Sequence, residues 1–174
     1  MRDKEKLKLF ISSRRIRKRV AKLAKKISND YKSKVPVFIG VLNGSFVFMS
    51  DLLREVKLET EVDFLKLSSY GDMKISAGDV RLLKDLNCSI EDRDVLVVED
   101  IIDSGLSANF IRDLILNHRP KTLEFVTLLY KKEINKLNFK VKYSGFKIPN
   151  KFVVGYGLDH SQKYRNLKSI YVLN

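Results

Sequence analysis

The chain has 174 residues, of which 44% are hydrophobic and 32% charged, so it can bury one core and does not have the composition of a disordered polymer. Its one cysteine, Cys88, excludes an intrachain disulfide framework and fits a reducing compartment. No apolar run reaches the ~20 residues of a membrane helix, and the N-terminus lacks the apolar stretch of a secretory signal. We therefore expect a soluble, cytoplasmic protein with a single domain over 1–174.

The basic charge is concentrated near the N-terminus. The chain has 34 Lys and Arg against 21 Asp and Glu, and residues 1–34 alone hold 14 basic and 3 acidic side chains. A basic segment of this kind can contact nucleic acid or an anionic membrane. Most charge runs are solvated helix faces, and we favour that interpretation for 1–34.

Three stretches have the apolar spacing of helices. Ser12 or Ser13 can cap a first helix that runs to about Tyr31. Its apolar stripe consists of Ile16, Val20, Leu23, Ala24 and Ile27. Residues 45–56 predict a second helix, and 105–118 a third that Pro120 stops.

Short apolar runs alternate with these helices and predict strands. They cover 35–41, 62–68, 94–98, 123–129, 152–155 and 170–173. Alternating strands and helices predict an α/β fold in which a mainly parallel sheet is covered by helices on both faces. Residues 69–88 interrupt the pattern with a long polar excursion, which indicates a flexible lid.

The most informative stretch is VLVVEDIIDSGLSANF, residues 95–110. An apolar strand runs into Glu99 and Asp100, and Asp103 then precedes a turn, 104–107, that opens a helix. Ligands of parallel sheets bind beyond the carboxyl ends of the strands, which is where these polar residues fall. The alternative, an acidic loop that merely caps a helix, does not account for the whole string.

The residue types in this stretch predict two kinds of contact. The turn offers backbone N–H groups, two hydroxyls and a helix N-terminus, which together can hold a phosphate. The acidic pair suits diol hydroxyls or Mg²⁺, because hard cations prefer oxygen ligands. A site for diol, Mg²⁺ and phosphate indicates a ribose phosphate. Neither a Walker loop nor a dinucleotide fingerprint is present in the sequence.

The sequence resembles the phosphoribosyltransferase family, whose signature is an apolar strand, two acids and then Asp-(Ser/Thr)-Gly. The resemblance covers roughly 14–174 and is closest to the hypoxanthine-guanine group. The blocks that carry it are VLNGSFVFMSDL (41–52), SSYG (68–71), VLVVEDIIDSG (95–105) and IPNKFVVGYGLD (148–159). It implies the type I phosphoribosyltransferase fold, with a small hood over the main sheet and a mobile lid loop.

The resemblance also implies roles on the sugar side of a site for 5-phosphoribosyl 1-diphosphate. Glu99 and Asp100 would hold the ribose hydroxyls and the metal region, with Mg²⁺ as cofactor. The cradle for the 5′-phosphate would consist of Ser104, Gly105, Leu106 and Ser107. Asn43, Gly44 and Arg165 would contact pyrophosphate. The first two belong to the loop Leu42-Asn43-Gly44, which in the family often contains a non-proline cis peptide before its second residue. The family commonly has Lys or Arg at that position, so a side-chain cation is missing here.

On the purine side, the resemblance makes Asp103 the catalytic residue, which would manage the proton of the imidazole nitrogen. Lys131 would donate to the 6-oxo group, Phe152 would stack on the ring and the Val153 backbone would read its edge. Asp159 would hold a second Mg²⁺ beside the purine. Ser69 and Tyr70 would close over the diphosphate. Without the resemblance, Lys131 would be taken for an ordinary solvated lysine.

We therefore expect a purine-salvage enzyme that transfers a phosphoribosyl group to hypoxanthine and guanine, forming IMP and GMP. A regulator of the same fold that binds nucleic acid is the alternative, supported only by the basic segment. Transfer to xanthine also stays open, whereas adenine fits poorly because it presents an amino group where Lys131 would donate. The resemblance implies a homodimer or homotetramer. Because no apolar run is long enough to span a membrane, we expect no membrane partner.

Overall fold

The computed structural model describes residues 7–69, 80–134 and 136–173. The strands are β1 Leu7–Ile11, β2 Val37–Leu42, β3 Glu61–Ser69, β4 Val80–Lys84, β5 Asp94–Ile102, β6 Thr122–Tyr130, β7 Tyr143–Lys147, β8 Val153–Val154 and β9 Ile170–Leu173. The helices are α1 Ser13–Asp30, α2 Phe46–Glu55 and α3 Leu106–Asn117. All three predicted helices and all six predicted strands are confirmed, with shifts of a few residues at their ends.

The main sheet has six strands in the order β4-β3-β2-β5-β6-β7. Five of them are parallel, and β4 pairs with β3 in the antiparallel sense at one edge. In this register Gly40 of β2 lies opposite both Phe64 of β3 and Val98 of β5. The ends of β2, β5 and β6 therefore meet at one edge of the sheet, and the chain segments that leave those strands can form a common site.

Helices cover both faces of the main sheet, as the sequence predicts. Alternate residues of the central strands point to opposite faces. Phe38, Leu96 and Val98 join the core beneath α1 and α2, whereas Ile39 and Val97 join the core beneath α3. Both faces of β2 and β5 are buried, which explains why these strands read as continuous apolar runs.

Helix α1 buries the apolar stripe predicted for it and exposes its basic side chains. Ser12 caps the helix, since its hydroxyl accepts a hydrogen bond from the backbone N of Arg15 at 3.4 Å. Some of the basic side chains also pack on β7: the Arg19 guanidinium lies 5.2 Å from the ring of Phe146, and the Lys26 ammonium 5.1 Å from that of Tyr143. These contacts engage part of the basic face within the protein itself.

A second, three-stranded sheet forms the hood, in the order β1-β9-β8. Its strands are antiparallel, and β1 comes from the N-terminal segment that the sequence analysis treats only as a basic helix. The sequence also predicts no strand at β4 or β7. Each of these missed strands has only five residues and includes at least one lysine, so none of them is a continuous apolar run of the kind that predicts a buried strand.

The predicted lid, 69–88, is only partly described. Ser69 ends β3, and β4 begins the return of the chain, so part of the excursion belongs to the main sheet. Tyr70 and the rest of 70–79 lie outside the described residues. Within the described part of the chain, no helix has the length and apolar character needed to cross a membrane.

Candidate active site

Two adjacent carboxylates mark the carboxyl end of β5. Glu99 is buried and Asp100 partly buried. Burial raises the pKa of Glu99, and the charge of Asp100 adds to that rise. Burial also raises the pKa of Asp100 to about 6, although backbone N–H groups and the positive charge of Arg165 favour its ionised form. A cation or hydroxyl donors placed here would stabilise two carboxylates that burial otherwise penalises.

Asp159 adds a third acid to this region, because its charge also raises the pKa of Asp100. Among the residues with described positions, no three His, Cys, Asp or Glu side chains stand close enough to form a metal site by themselves. Mg²⁺ usually keeps several waters and takes one or two carboxylates together with substrate phosphates. The acids therefore fit an Mg²⁺ ion that a phosphorylated substrate helps to hold.

Asp103 and Lys131 form an ion pair beside these acids. The Lys131 ammonium lies 2.7 Å from Oδ2 of Asp103 and also donates to Oδ1 of Asn150 at 3.3 Å. Lys131 is only 5% exposed. It is therefore not the solvated lysine that one would expect without the family resemblance, given that most lysines are exposed. The backbone explains its position: Lys131 follows β6 directly, and its N–H donates to the carbonyl of Ile102 at 3.0 Å.

The turn after Asp103 opens helix α3. Gly105 has φ +86°, a left-handed conformation that residues with a side chain adopt at a cost. The Ser104 hydroxyl accepts a hydrogen bond from the backbone N of Leu106 at 3.4 Å. Ser104 and Ser107 are both exposed at the helix N-terminus. Hydroxyls and N–H groups in this arrangement suit an anion.

The loop after β2 lies against the acids. The peptide bond between Leu42 and Asn43 is cis. A Cβ atom at Gly44 would overlap the carboxylate of Asp100, and a Cβ at Gly157 would overlap the carbonyl oxygen of Gly44. A side chain at Gly157 would therefore require a backbone shift, and one at Gly44 would displace the Asp100 carboxylate, so this close packing brings the backbone of the loop beside Asp100.

The hood supplies the remaining side of the site. Arg165 donates to the carbonyl of Gly157 at 2.7 Å and lies 2.8 Å from Oδ1 of Asp159. Phe152 is 53% exposed, with its ring edge-to-face with His160 at a centroid distance of 5.5 Å. An exposed aromatic face held in place by a neighbour is suited to stacking on a planar ligand.

Three comparisons with known proteins agree. The phosphoribosyl transferase domain model matches residues 11–161. The hypoxanthine-guanine phosphoribosyltransferase of Bacillus subtilis (strain 168) is 43% identical over 166 residues, which are 95% of this chain and 92% of that one. The hypoxanthine phosphoribosyltransferase of Escherichia coli (strain K12) is 44% identical over 169 residues, 96% and 95% of the two chains. A crystal structure of a Bacillus anthracis hypoxanthine-guanine phosphoribosyltransferase superposes with a TM-score of 0.89 at 43% identity, covering 98% of this chain and 99% of that one.

The chain belongs to the hypoxanthine-guanine phosphoribosyltransferase family. The family and the fold class that the sequence predicts are thereby confirmed, including the parallel sheet flanked by helices. The cis peptide before Asn43, which the resemblance to this family implies, is also present in the structure.

A cavity of about 300 Å³ brings together most of the residues that the family resemblance assigns. Those lining it are Asn43, Gly44, Asp100, Asp103, Lys131, Phe152, Val153, Asp159 and Arg165. Glu99 and the turn 104–107 do not line this cavity, although they adjoin Asp100 and Asp103 along the chain. Of the predicted lid residues, the side chain of Ser69 and the whole of Tyr70 lie outside the described part. The individual roles stay predictions.

Several residues of the cavity were not identified from the sequence. Ile101, Lys151 and Leu158 line it, Asn150 contacts Lys131, and His160 supports Phe152. Lys151 and Leu158 lie within the block 148–159 that carries the family resemblance, so that block was the available signal. Asn150 belongs to the same block, but its contact with Lys131 could not be predicted from the block, because that contact depends on how the connections after β6 and β7 meet.

Proposed function

We propose that the protein transfers the 5-phosphoribosyl group of 5-phosphoribosyl 1-diphosphate to hypoxanthine and guanine, in purine salvage. One observation carries the proposal: the buried Lys131 ammonium, paired with Asp103, shares a cavity with the exposed ring of Phe152 and with Arg165. A cationic donor, a carboxylate and an aromatic face match the 6-oxo group, the imidazole nitrogen and the ring plane of a 6-oxopurine.

The purine would lie on Phe152, with its 6-oxo group accepting from Lys131 and its edge facing the backbone of Val153. Lys131 thereby selects a 6-oxopurine over adenine, whose amino group would meet the ammonium donor to donor. Asp103 lies 2.7 Å from the same ammonium. The two members of this ion pair would therefore contact the 6-oxo group and the imidazole nitrogen of the base. This arrangement holds the attacking nitrogen in line with the sugar.

The phosphoribosyl group would lie between the acids and the turn 104–107. Glu99 and Asp100 would accept from the ribose hydroxyls, and the cradle would hold the 5′-phosphate. Arg165 and the backbone of Asn43 and Gly44 would bind the pyrophosphate. Glu99 and Asp100 would hold one Mg²⁺ and Asp159 a second, and these ions when bound offset negative charge on the diphosphate.

The reaction exchanges one bond at the anomeric carbon of the sugar for another. The bond to pyrophosphate breaks, its electron pair leaves with the pyrophosphate, and a ring nitrogen of the purine forms the new bond. The purine loses one proton, which Asp103 accepts. Arg165 stabilises the negative charge that develops on the leaving group.

The test is nucleotide formation by the purified protein with 5-phosphoribosyl 1-diphosphate, Mg²⁺ and, separately, hypoxanthine, guanine, xanthine, adenine and uracil. We expect turnover with hypoxanthine and guanine and little with adenine or uracil. The rate with xanthine shows how well the site accepts this base relative to hypoxanthine and guanine. Discrimination between xanthine and guanine depends on backbone atoms. Turnover with adenine equal to that with hypoxanthine would contradict the role of Lys131.

We further propose that the whole chain acts as one phosphoribosyltransferase domain in the cytoplasm, and that it assembles as a homodimer or homotetramer. The exposed ring of Phe46 on α2 supports assembly, since it lines a groove of about 770 Å³ beside the site. Sedimentation velocity with Phe46→Ser against the unmodified protein tests it. We expect the unmodified protein to sediment as a dimer or tetramer. The variant should dissociate at a higher protein concentration than the unmodified protein does.

A further inference from the structure

The phosphate cradle is supported from behind by residues 136–138, in the connection between β6 and β7. The backbone N of Lys136 donates to the carbonyl of Ser104 at 2.8 Å. From the first turn of α3, the Asn109 side chain donates to the carbonyl of Lys136 at 2.9 Å and accepts from the backbone N of Asn138 at 3.2 Å. Asn109 thus closes a hydrogen-bonded link between the helix that begins at the cradle and the segment behind it.

The segment behind the cradle is itself anchored in the protein. A Cβ atom at Gly105 would lie 3.1 Å from Cδ2 of Leu137, so this side chain packs directly on the turn. Leu137 and Phe139 both pack against the core beneath α3, where the ring of Phe139 lies 4.6 Å from that of Phe125. The Asn109 link therefore joins the turn to a segment that is packed on the core beneath α3.

A turn built around a left-handed glycine has many accessible conformations when nothing holds it. A cradle that is fixed before its ligand arrives binds more tightly, because less conformational freedom is lost on binding. We propose that Asn109 is a positioning residue that holds the turn 104–107 in the conformation that binds the 5′-phosphate. The proposal rests on the proposed function, in which that turn receives the phosphoribosyl group.

A positioning role differs from a purely structural one in its selectivity. Asn109 is partly exposed, so removing its hydrogen bonds weakens the fold only modestly. Removing the hydrogen bonds of Asn109 loosens the turn 104–107, and this weakens the binding of ligands that carry a 5′-phosphate. Pyrophosphate binds on the other side of the site, at Arg165 and Gly44, and should not respond.

The test compares Asn109→Ala with the unmodified protein by calorimetric titration with ribose 5-phosphate and, separately, with pyrophosphate and Mg²⁺. We expect the Kd of ribose 5-phosphate to rise about tenfold, as for the loss of one or two hydrogen bonds, and the Kd of pyrophosphate to stay constant. Asn117→Ala is the matched control, because it makes the same change at the exposed far end of α3 and should alter neither constant.

Two further variants test whether the amide chemistry of Asn109 is what holds the turn. Asn109→Gln keeps both the donor and the acceptor and should recover part of the affinity for ribose 5-phosphate. Asn109→Asp keeps the acceptor but points an oxygen at the carbonyl of Lys136, and should bind as weakly as Asn109→Ala. An equal loss for both ligands, or no loss for ribose 5-phosphate, would overturn the proposal. Selective loss in a protein that converts none of the bases would refute the proposed transfer, while still showing that Asn109 positions the turn for a 5′-phosphate.

Discussion

The ammonium of Lys131 and the carboxylate of Asp103 form an ion pair at 2.7 Å in which the cation is buried and the carboxylate is half exposed. The buried partner is thereby fixed, while the exposed one can reach a ligand. Asn150 takes a second hydrogen bond from the same ammonium at 3.3 Å, so the direction of the Lys131 side chain is constrained from two sides. The first two predictions follow from this geometry.

Replacing Asp103 with asparagine should leave the fold intact and lower kcat with hypoxanthine by about 10²–10⁴, because an amide cannot accept the purine proton. Asparagine has nearly the same shape and still offers an oxygen to Lys131. Steady-state kinetics and a thermal unfolding curve together check this. Unchanged turnover would remove Asp103 as the proton acceptor.

Replacing Lys131 with methionine should raise KM for hypoxanthine and lower kcat/KM about 100-fold, because the 6-oxo group loses a charged donor in a buried position. Methionine fills a similar volume, and the Asp103 carboxylate that loses its partner is half exposed, so water can solvate it. Lys132→Met is the matched control, since the neighbouring side chain is exposed and should tolerate the change. Equal kinetics for the two variants would contradict the assignment of Lys131.

In the loop Leu42-Asn43-Gly44, which would bind pyrophosphate, we expect a substitution to strengthen ligand binding rather than weaken it. Asn43 lines the cavity but carries no charge, so Asn43→Lys should strengthen pyrophosphate binding by about threefold to tenfold. The gain should shrink as salt rises from 0.1 to 0.5 M, because the added attraction is electrostatic and partly solvent-exposed. Product inhibition by pyrophosphate measures the effect. Asn43→Gln, which changes length but not charge, should leave the inhibition constant as it is.

How much the sequence predicts depends on how local the determining interactions are. Local sequence is enough to predict the buried strands β2 and β5 and the helix α1, because the apolar spacing of each is visible within a few residues. The strand β1 cannot be predicted in this way, since Leu7 pairs with Leu173 at the other end of the chain and its one lysine, Lys8, resembles the basic residues of the helix that follows. Its strand character comes from the hood sheet rather than from its own sequence.

The site shows the same division. The string from Glu99 to Ser107 is contiguous, so its chemistry is visible in the sequence together with its place after a buried strand. The contacts of Lys131 with Asn150, and of Phe152 with His160, arise between segments that come together only when the ends of β6, β7 and β8 are placed. These contacts cannot be predicted from the pattern of residue types along the chain.

A final prediction concerns Asp63, a buried carboxylate of β3 that holds the segment after β4. Its oxygens accept hydrogen bonds from the backbone N of Phe64 at 2.7 Å, of Asn87 at 2.5 Å and of Cys88 at 3.0 Å, and from Lys84 at 3.3 Å. Burial opposes ionisation, but these donors outweigh it and hold the pKa of Asp63 well below its usual range. Asp63→Asn should therefore lower the free energy of unfolding at pH 7 by about 3 kcal/mol, since several charge-assisted hydrogen bonds weaken together.

The pH dependence of this loss follows from the direction of the pKa shift. Because the unfolded chain binds the proton of Asp63 more tightly than the folded chain, the stabilisation is full above the unfolded pKa of ~3.9 and is lost as the pH falls toward the folded pKa. Urea unfolding between pH 7 and pH 3 should show a stability difference between the two proteins that is constant down to about pH 4 and begins to narrow at the acid end. Asp85→Asn is the control, because this exposed carboxylate of the same segment should change stability little at any pH. A constant difference between Asp63→Asn and the unmodified protein down to pH 3 would show that shape, not charge, holds the segment.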